Sequence, residues 1–295
     1  MAKIFSLIFL RASSDAAFAA NFAPMKVLKN PVLWAFSVIL ATGCGGNNDD
    51  KDPALTTSYS GIRPPAPLPF TVINQFPHDT SAYTQGLQWY NGKLYESTGD
   101  YENSSLRITD RATGKVITKH MMGSQEIFGE GITILRDTLY QLTWENNIVY
   151  VYSIHDLSKP IKTLAWPYQG WGITNNGTNL IISDGSANLY FVDPSTFKVN
   201  NTVRVADNRG NVSQLNELEF INGKVYANVY QTNDIIEIDP ESGHVTGKVT
   251  FDNLLTREDR HQNTDVFNGI AYDSTTQTMF VTGKRWPKLF EVKMR

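Results

Sequence analysis

From residue 70 onward the chain is written in short apolar runs of strand length, broken by turn residues. Leu87-Gln88-Trp89-Tyr90 leads into Asn91-Gly92, a dipeptide that readily gives two left-handed residues to a tight hairpin, and Lys93-Leu94-Tyr95-Glu96-Ser97-Thr98 follows. Leu106-Arg107-Ile108-Thr109-Asp110 predicts a third strand. After the turn Arg111-Ala112-Thr113-Gly114, Lys115-Val116-Ile117-Thr118 predicts a fourth. The plan returns at residues 189–199 and 235–245, where Asp193-Pro194-Ser195-Thr196 and Asp239-Pro240-Glu241-Ser242 supply the turn between third and fourth strands. Each unit opens with a polar or aromatic residue before an apolar strand: Gln85-Gly86-Leu87, Glu130-Gly131-Ile132, Trp171-Gly172-Ile173, Asn216-Glu217-Leu218 and Asn268-Gly269-Ile270. The middle residues fall at 86, 131, 172, 217 and 269, so the steps are 45, 41, 45 and 52 residues. A period of about 40–50 residues with four strands per unit is that of propeller blades.

The last unit holds three strand candidates, Gly269-Ile270-Ala271-Tyr272, Thr278-Met279-Phe280-Val281-Thr282 and Lys288-Leu289-Phe290-Glu291-Val292. Its fourth is expected from Phe70-Thr71-Val72-Ile73-Asn74, because closing the ring this way removes an open sheet edge. The expected fold is therefore all-β, a five-bladed propeller over 70–295 with an N-terminal strand closing the last blade; a pair of β-sandwiches is the alternative. No long amphipathic helix is evident, and a short helical turn is expected between Leu254 and Asp265, in the longest interval. The unit heads should converge near one axis.

Residues 1–69 follow a different pattern. Met25-Lys26-Val27-Leu28-Lys29 precedes an apolar run from Pro31 to Ala41, followed by Thr42-Gly43-Cys44. A basic start, a short apolar stretch and small residues describe a secretory signal. Leu40-Ala41-Thr42-Gly43-Cys44 resembles a bacterial lipobox, so residues 1–44 are read as a leader whose true start is Met25, with Cys44 the lipidated residue. Gly45 in place of an aspartate favours the outer membrane, facing the periplasm. Residues 45–69, rich in Gly, Asn, Asp, Ser and Pro, read as a flexible tether. Cys44 is the sole cysteine, which excludes an intrachain disulfide, and the net charge of −3 gives no basic footprint for nucleic acid.

Distinctive short stretches follow one another in order along the domain: Pro77-His78-Asp79, Tyr83-Thr84-Gln85-Gly86-Leu87, Tyr95-Glu96-Ser97-Thr98-Gly99, Phe128-Gly129-Glu130-Gly131, Leu142-Thr143-Trp144, Gly170-Trp171-Gly172, Ser183-Asp184-Gly185, Leu215-Asn216-Glu217-Leu218-Glu219, Ala227-Asn228-Val229-Tyr230-Gln231-Thr232, Asn268-Gly269-Ile270-Ala271 and Val281-Thr282-Gly283-Lys284-Arg285-Trp286-Pro287-Lys288-Leu289-Phe290. Together, and across nearly all of 70–295, they resemble the plant and bacterial glutaminyl-peptide cyclotransferases. The resemblance implies a five-bladed propeller that converts N-terminal glutamine to pyroglutamate, releases ammonia and uses no cofactor or metal. Carried over motif by motif, it makes Glu130 the catalytic acid/base and Gln85, Trp144, Trp171, Asn216 and Lys284 substrate-binding residues. Tyr83 and Tyr230 fall at binding positions where phenylalanine and a third tryptophan are usual.

Those residue types suit the chemistry. A substrate carrying its own amine and carboxamide needs to be held folded, and it needs a group to move one proton between nitrogens. Glu130 fits that proton transfer, and its flanking glycines are expected to let ligand atoms approach. Glu217 is read as holding the equivalent place in a later unit, chiefly as a structural echo. His78 and Asp79 lack a serine in an elbow context and read as a turn-stabilising pair; the five histidines show no ligand spacing. A monomer acting on peptides or proteins with N-terminal glutamine is expected. The alternative is a non-catalytic envelope propeller that binds peptides or proteins. A propeller lactonase would want a fuller set of axial carboxylates.

Overall fold

The computed structural model describes residues 61–122 and 125–295; the leader, Cys44 and the tether as far as residue 60 lie outside the described residues. Five blades of four antiparallel strands each form in chain order among the described residues, numbered here one to five; the sheet of blade four gains a fifth, parallel strand, and a two-stranded hairpin, Ala206–Asp207 with Gly210–Asn211, stands apart. Their first strands are Thr84–Tyr90, Gly129–Leu135, Ile173–Asn175, Leu215–Ile221 and Phe267–Asp273. These strands neighbour one another around the axis, each touching the first strand of the next blade, with the fifth meeting the first. The second strands, Lys93–Thr98, Thr138–Thr143, Leu180–Ser183, Lys224–Val229 and Thr278–Gly283, return antiparallel, so each ends beside the start of its partner.

The expected closure is present. Phe70–Pro77 pairs antiparallel with Lys288–Met294, matching Phe70 to Met294 and Pro77 to Lys288. The end of the segment read as a tether is engaged as well: Ala66 and Pro67 pair in parallel with Gly247 and Lys248 of blade four, and Leu68 packs into the core between blades four and five. The N-terminal stretch thus stitches two blades before the ring begins.

Apolar cores lie between successive blades. Leu142, Val149 and Val151 of blade two meet Ile173, Leu180 and Ile182 of blade three, while Leu87 and Leu94 of blade one meet Ala271, Phe280 and Leu289 of blade five. A blade is covered on both faces, so its inner strands lose the one-sided alternation of a surface sheet. Gly129–Leu135 is buried throughout, whereas the outer strand Val116–Met121 is largely exposed. Turns hold the strands as their residues predict. Asn91 and Gly92 both have positive φ, and the carboxylate of Asp239 accepts the backbone N–H groups of Glu241 and Ser242. The described residues contain no helix. Over 254–265, where the sequence predicts a helical turn, isolated i to i+3 bonds such as Arg260 N to Arg257 O form and are not continued.

Four of the five unit heads are bulges. Pairing of first and second strands shifts between Thr84 and Gly86, Gly129 and Ile132, Leu215 and Leu218, and Phe267 and Ile270. A bulge re-aims a side chain out of the ladder, and here it does so at Gln85, Glu130, Asn216 and Asn268. The head glycines Gly86 and Gly131, expected to let a ligand approach, instead admit the backbone of the next blade. A Cβ on Gly131 would lie 2.7 Å from the carbonyl oxygen of Trp171, and one on Gly86 would lie 2.5 Å from the nitrogen of Ile132.

Candidate active site

Residues at two recurring positions of the blades build one cavity. The first is the head residue of the inner strand; the second is the residue just past the end of the second strand. Antiparallel pairing puts both at the same end of every blade. Heads Gln85, Glu130, Trp171 and Asn216 and strand-end residues Trp144, Tyr230 and Lys284 line a cavity of about 260 Å³, together with Tyr83 and Phe128. The structure therefore brings all eight sequence-predicted residues of the domain together. Phe128 is the member that sequence reasoning misses, although it stands two residues before its unit head, as Tyr83 does.

Glu130 is buried and accepts a hydrogen bond on Oε1 from Gln85 Nε2 at 3.0 Å. Burial raises its carboxyl well above the usual range, against the opposing charge of Lys284. Gln85 in turn accepts a long contact from Asn268 Nδ2, at 3.4 Å. One N–H of its amide thus holds Glu130 while the residue lines the cavity.

Lys284 is equally buried. Its Nζ lies 4.7 Å from the ring centre of Tyr83 and 5.0 Å from that of Tyr230, so two aromatic rings flank the ammonium. Burial lowers its affinity for a proton, and Glu130 and Asp265 only partly counter this. The acid and the base of this site are therefore both drawn toward their neutral forms. Asp265 also accepts the hydroxyl of Tyr83, whose pKa is raised chiefly by burial and next by that carboxylate. Asn216 contributes a different feature: its Oδ1 is buried and has no partner among the described residues. An orphaned acceptor costs free energy unless something fills it, and this one belongs to a cavity-lining residue.

The aromatic wall is packed from behind. Phe128 meets Tyr83, Tyr101 and Trp144 edge-on, and Tyr230 meets Trp171 with centroids 5.5 Å apart. Gly185 backs Trp171 so closely that a Cβ would lie 2.6 Å from the indole. Both cavity indoles have already spent their only donor, Nε1–H, on Gln169 Oε1, at 3.1 Å from Trp144 and 3.0 Å from Trp171.

Residues left outside the cavity have structural partners. Both carboxylate oxygens of Glu217 accept backbone N–H groups, from Leu87 in blade one and Ile270 in blade five, so it ties inner strands across the axis. His78 bonds Glu96 at 3.0 Å and the carbonyl of Trp286 at 2.8 Å. Asp79 caps the turn at Ser81 and pairs with Arg107 at 2.8 Å. The two neighbours thus serve different partners rather than each other.

A family model described as glutamine cyclotransferase matches residues 49–294. The glutaminyl-peptide cyclotransferase of Arabidopsis thaliana is 42% identical over 227 residues, which cover 76% of this chain and 71% of the relative. The crystal structure of Myxococcus xanthus glutaminyl cyclase aligns with a TM-score of 0.72 at 33% identity, covering 78% of this chain and 98% of that one.

Proposed function

The chain belongs to the glutamine cyclotransferase family, and on that premise we propose that it closes the N-terminal glutamine of peptides and proteins to pyroglutamate, releasing ammonia, with Glu130 as the proton shuttle. The observation that carries this reading is a buried carboxyl of raised pKa sharing a small cavity with a buried lysine and an unpartnered amide oxygen.

The substrate's α-nitrogen attacks the carbonyl carbon of its own side-chain carboxamide. A C–N bond forms, and the carboxamide oxygen takes the electron pair of its π bond. Glu130 accepts the proton that the attacking nitrogen must lose and returns it to the departing nitrogen. The C–NH2 bond then breaks, the carbonyl re-forms, and ammonia leaves. One proton shared between Glu130 and the amine is sufficient, and burial, by raising the pKa of the carboxyl, makes Glu130 a better proton acceptor for an amine than a solvated carboxylate. Lys284 supplies positive charge where the oxyanion develops. Asn216 Oδ1 accepts an N–H of the folded side chain. The faces of Trp144 and Trp171 confine that side chain and keep water from competing with the amine. A well-oriented intramolecular attack supplies the rest, through effective molarities of about 10⁵–10⁸ M.

The test of this reading is ammonia release from a Gln-initiated dipeptide beside the same dipeptide with an acetylated amine. Release is expected only from the free amine. Equal release from both would identify an amidohydrolase and overturn the reading.

The pH dependence carries a second expectation. The profile of kcat/KM has one limb from the substrate amine and one from Glu130. Lys284 lowers the pKa of Glu130. Removing its charge in Lys284→Met is therefore expected to raise that pKa and carry the Glu130 limb to higher pH, leaving the amine limb in place. A Glu130 limb that stays still or moves down would contradict the pairing.

A further inference from the structure

Gln169 stands two residues before a unit head, as Tyr83 and Phe128 do, yet it does not line the cavity. It lies behind the aromatic wall. Its Oε1 accepts the indole N–H of both Trp144 and Trp171, and its Nε2 donates to Glu145 Oε1 at 3.0 Å. Its main chain is held too: the buried indole of Trp166 donates to the carbonyl of Gln169 at 3.1 Å, and Asn147 Nδ2 donates to the carbonyls of Trp166 and Tyr168. An exposed glutamine would ordinarily sample many rotamers. This one is fixed at the backbone and at both ends of its amide.

We propose that Gln169, oriented by Glu145, is a positioning residue that sets the angle between the two cavity tryptophans and so shapes the slot for the substrate side chain. This rests on the cyclotransferase reading above. The chemistry is specific to the amide. One oxygen must accept two N–H groups from walls contributed by different blades, while the nitrogen must face a carboxylate. Leucine provides neither function. Glutamate provides the acceptor but faces Glu145 with a like charge. Because the indole donors are consumed here, the tryptophans meet the substrate through ring faces and carbon edges alone, and their effect on it is one of shape.

The test uses the full chain. In Gln169→Leu the indole N–H resonances of Trp144 and Trp171, followed by nitrogen-15 NMR, are expected to move, while those of Trp89 and Trp286 stay. Loss of the two indole bonds is expected to raise KM roughly tenfold, with kcat nearly unchanged because the wall meets ground and transition states alike. Gln169→Glu is expected to be impaired as well. Combining it with Glu145→Gln restores a donor opposite the new carboxylate and should return both the resonances and KM toward wild type. The inference fails if an active wild type and its Gln169→Leu variant share the same indole resonances or the same KM, or if the swapped pair is no better than Gln169→Glu alone. A wild type that releases no ammonia would overturn the cyclotransferase reading and this inference with it; the wild-type control separates that result from a failure of Gln169 alone.

Discussion

Glu130→Gln lowers kcat/KM for a Gln-initiated dipeptide by about 10²–10⁴, the range expected when a positioned proton-transfer group is lost. The fold should be indifferent to the change. The new amide oxygen can still accept the bond from Gln85 Nε2 that Glu130 Oε1 accepts at 3.0 Å. Burial opposes ionisation of Glu130, so a neutral amide of the same shape is expected to cost the fold little. Activity and stability therefore separate: turnover collapses while the thermal midpoint holds. Residual turnover would reflect the confinement of the side chain, which the substitution does not disturb. A variant retaining more than a tenth of wild-type kcat/KM would remove Glu130 from the proton path.

Gly172→Ala has the largest expected effect on stability. A Cβ there would lie 2.0 Å from the carbonyl oxygen of Asn216 and 2.9 Å from the Cα of Glu217. Both obstacles are backbone, so no rotamer relieves the clash. The same contact is clamped by Ser183, whose hydroxyl accepts from the nitrogen of Gly172 at 2.8 Å and donates to the Asn216 carbonyl at 2.7 Å. Blades three and four must separate to admit the methyl group. An overpacking cost of about 3 kcal/mol would lower the thermal midpoint by roughly 6–12 °C for a domain of this size. Because Gly172 follows Trp171 directly and abuts Asn216, the cavity wall should loosen as well. Thermal unfolding of Gly172→Ala checks this, and an unchanged midpoint would contradict the close approach.

How far the sequence reached follows from what a repeat can and cannot display. The interval between Gln85, Glu130, Trp171, Asn216 and Asn268 made the blades legible, because each head marks where a strand leaves its turn. The convergence of these residues was legible for the same reason. Ring closure by Phe70–Pro77 followed from a missing fourth strand. The purpose of the glycines was not legible: small size serves a ligand and a neighbouring blade equally well, and only the distances from Gly131 and Gly172 to the next backbone distinguish them. The pairing of Ala66–Pro67 was hidden because a proline-rich composition signals a tether whether or not it docks. Gln169 was hidden because an exposed glutamine between blades carries no apolar signal. Its clue was its offset from Trp171, the same two residues that separate Tyr83 from Gln85 and Phe128 from Glu130. Glu217 shows the opposite case. It is a carboxylate beside a unit head, one position past the place of Glu130, and spends both oxygens on the backbone of blades one and five.

The central claim is that the α-amine, not water, displaces ammonia in this cavity. It is tested most directly by incubating the full chain with a Gln-initiated dipeptide in water enriched in heavy oxygen and measuring the mass of the product. Ring closure predicts a pyroglutamyl product without the label, and one ammonia released for each peptide consumed. A glutamyl product carrying heavy oxygen would identify a hydrolase, and a folded protein that leaves the peptide intact would identify a binding propeller; either result would contradict the account.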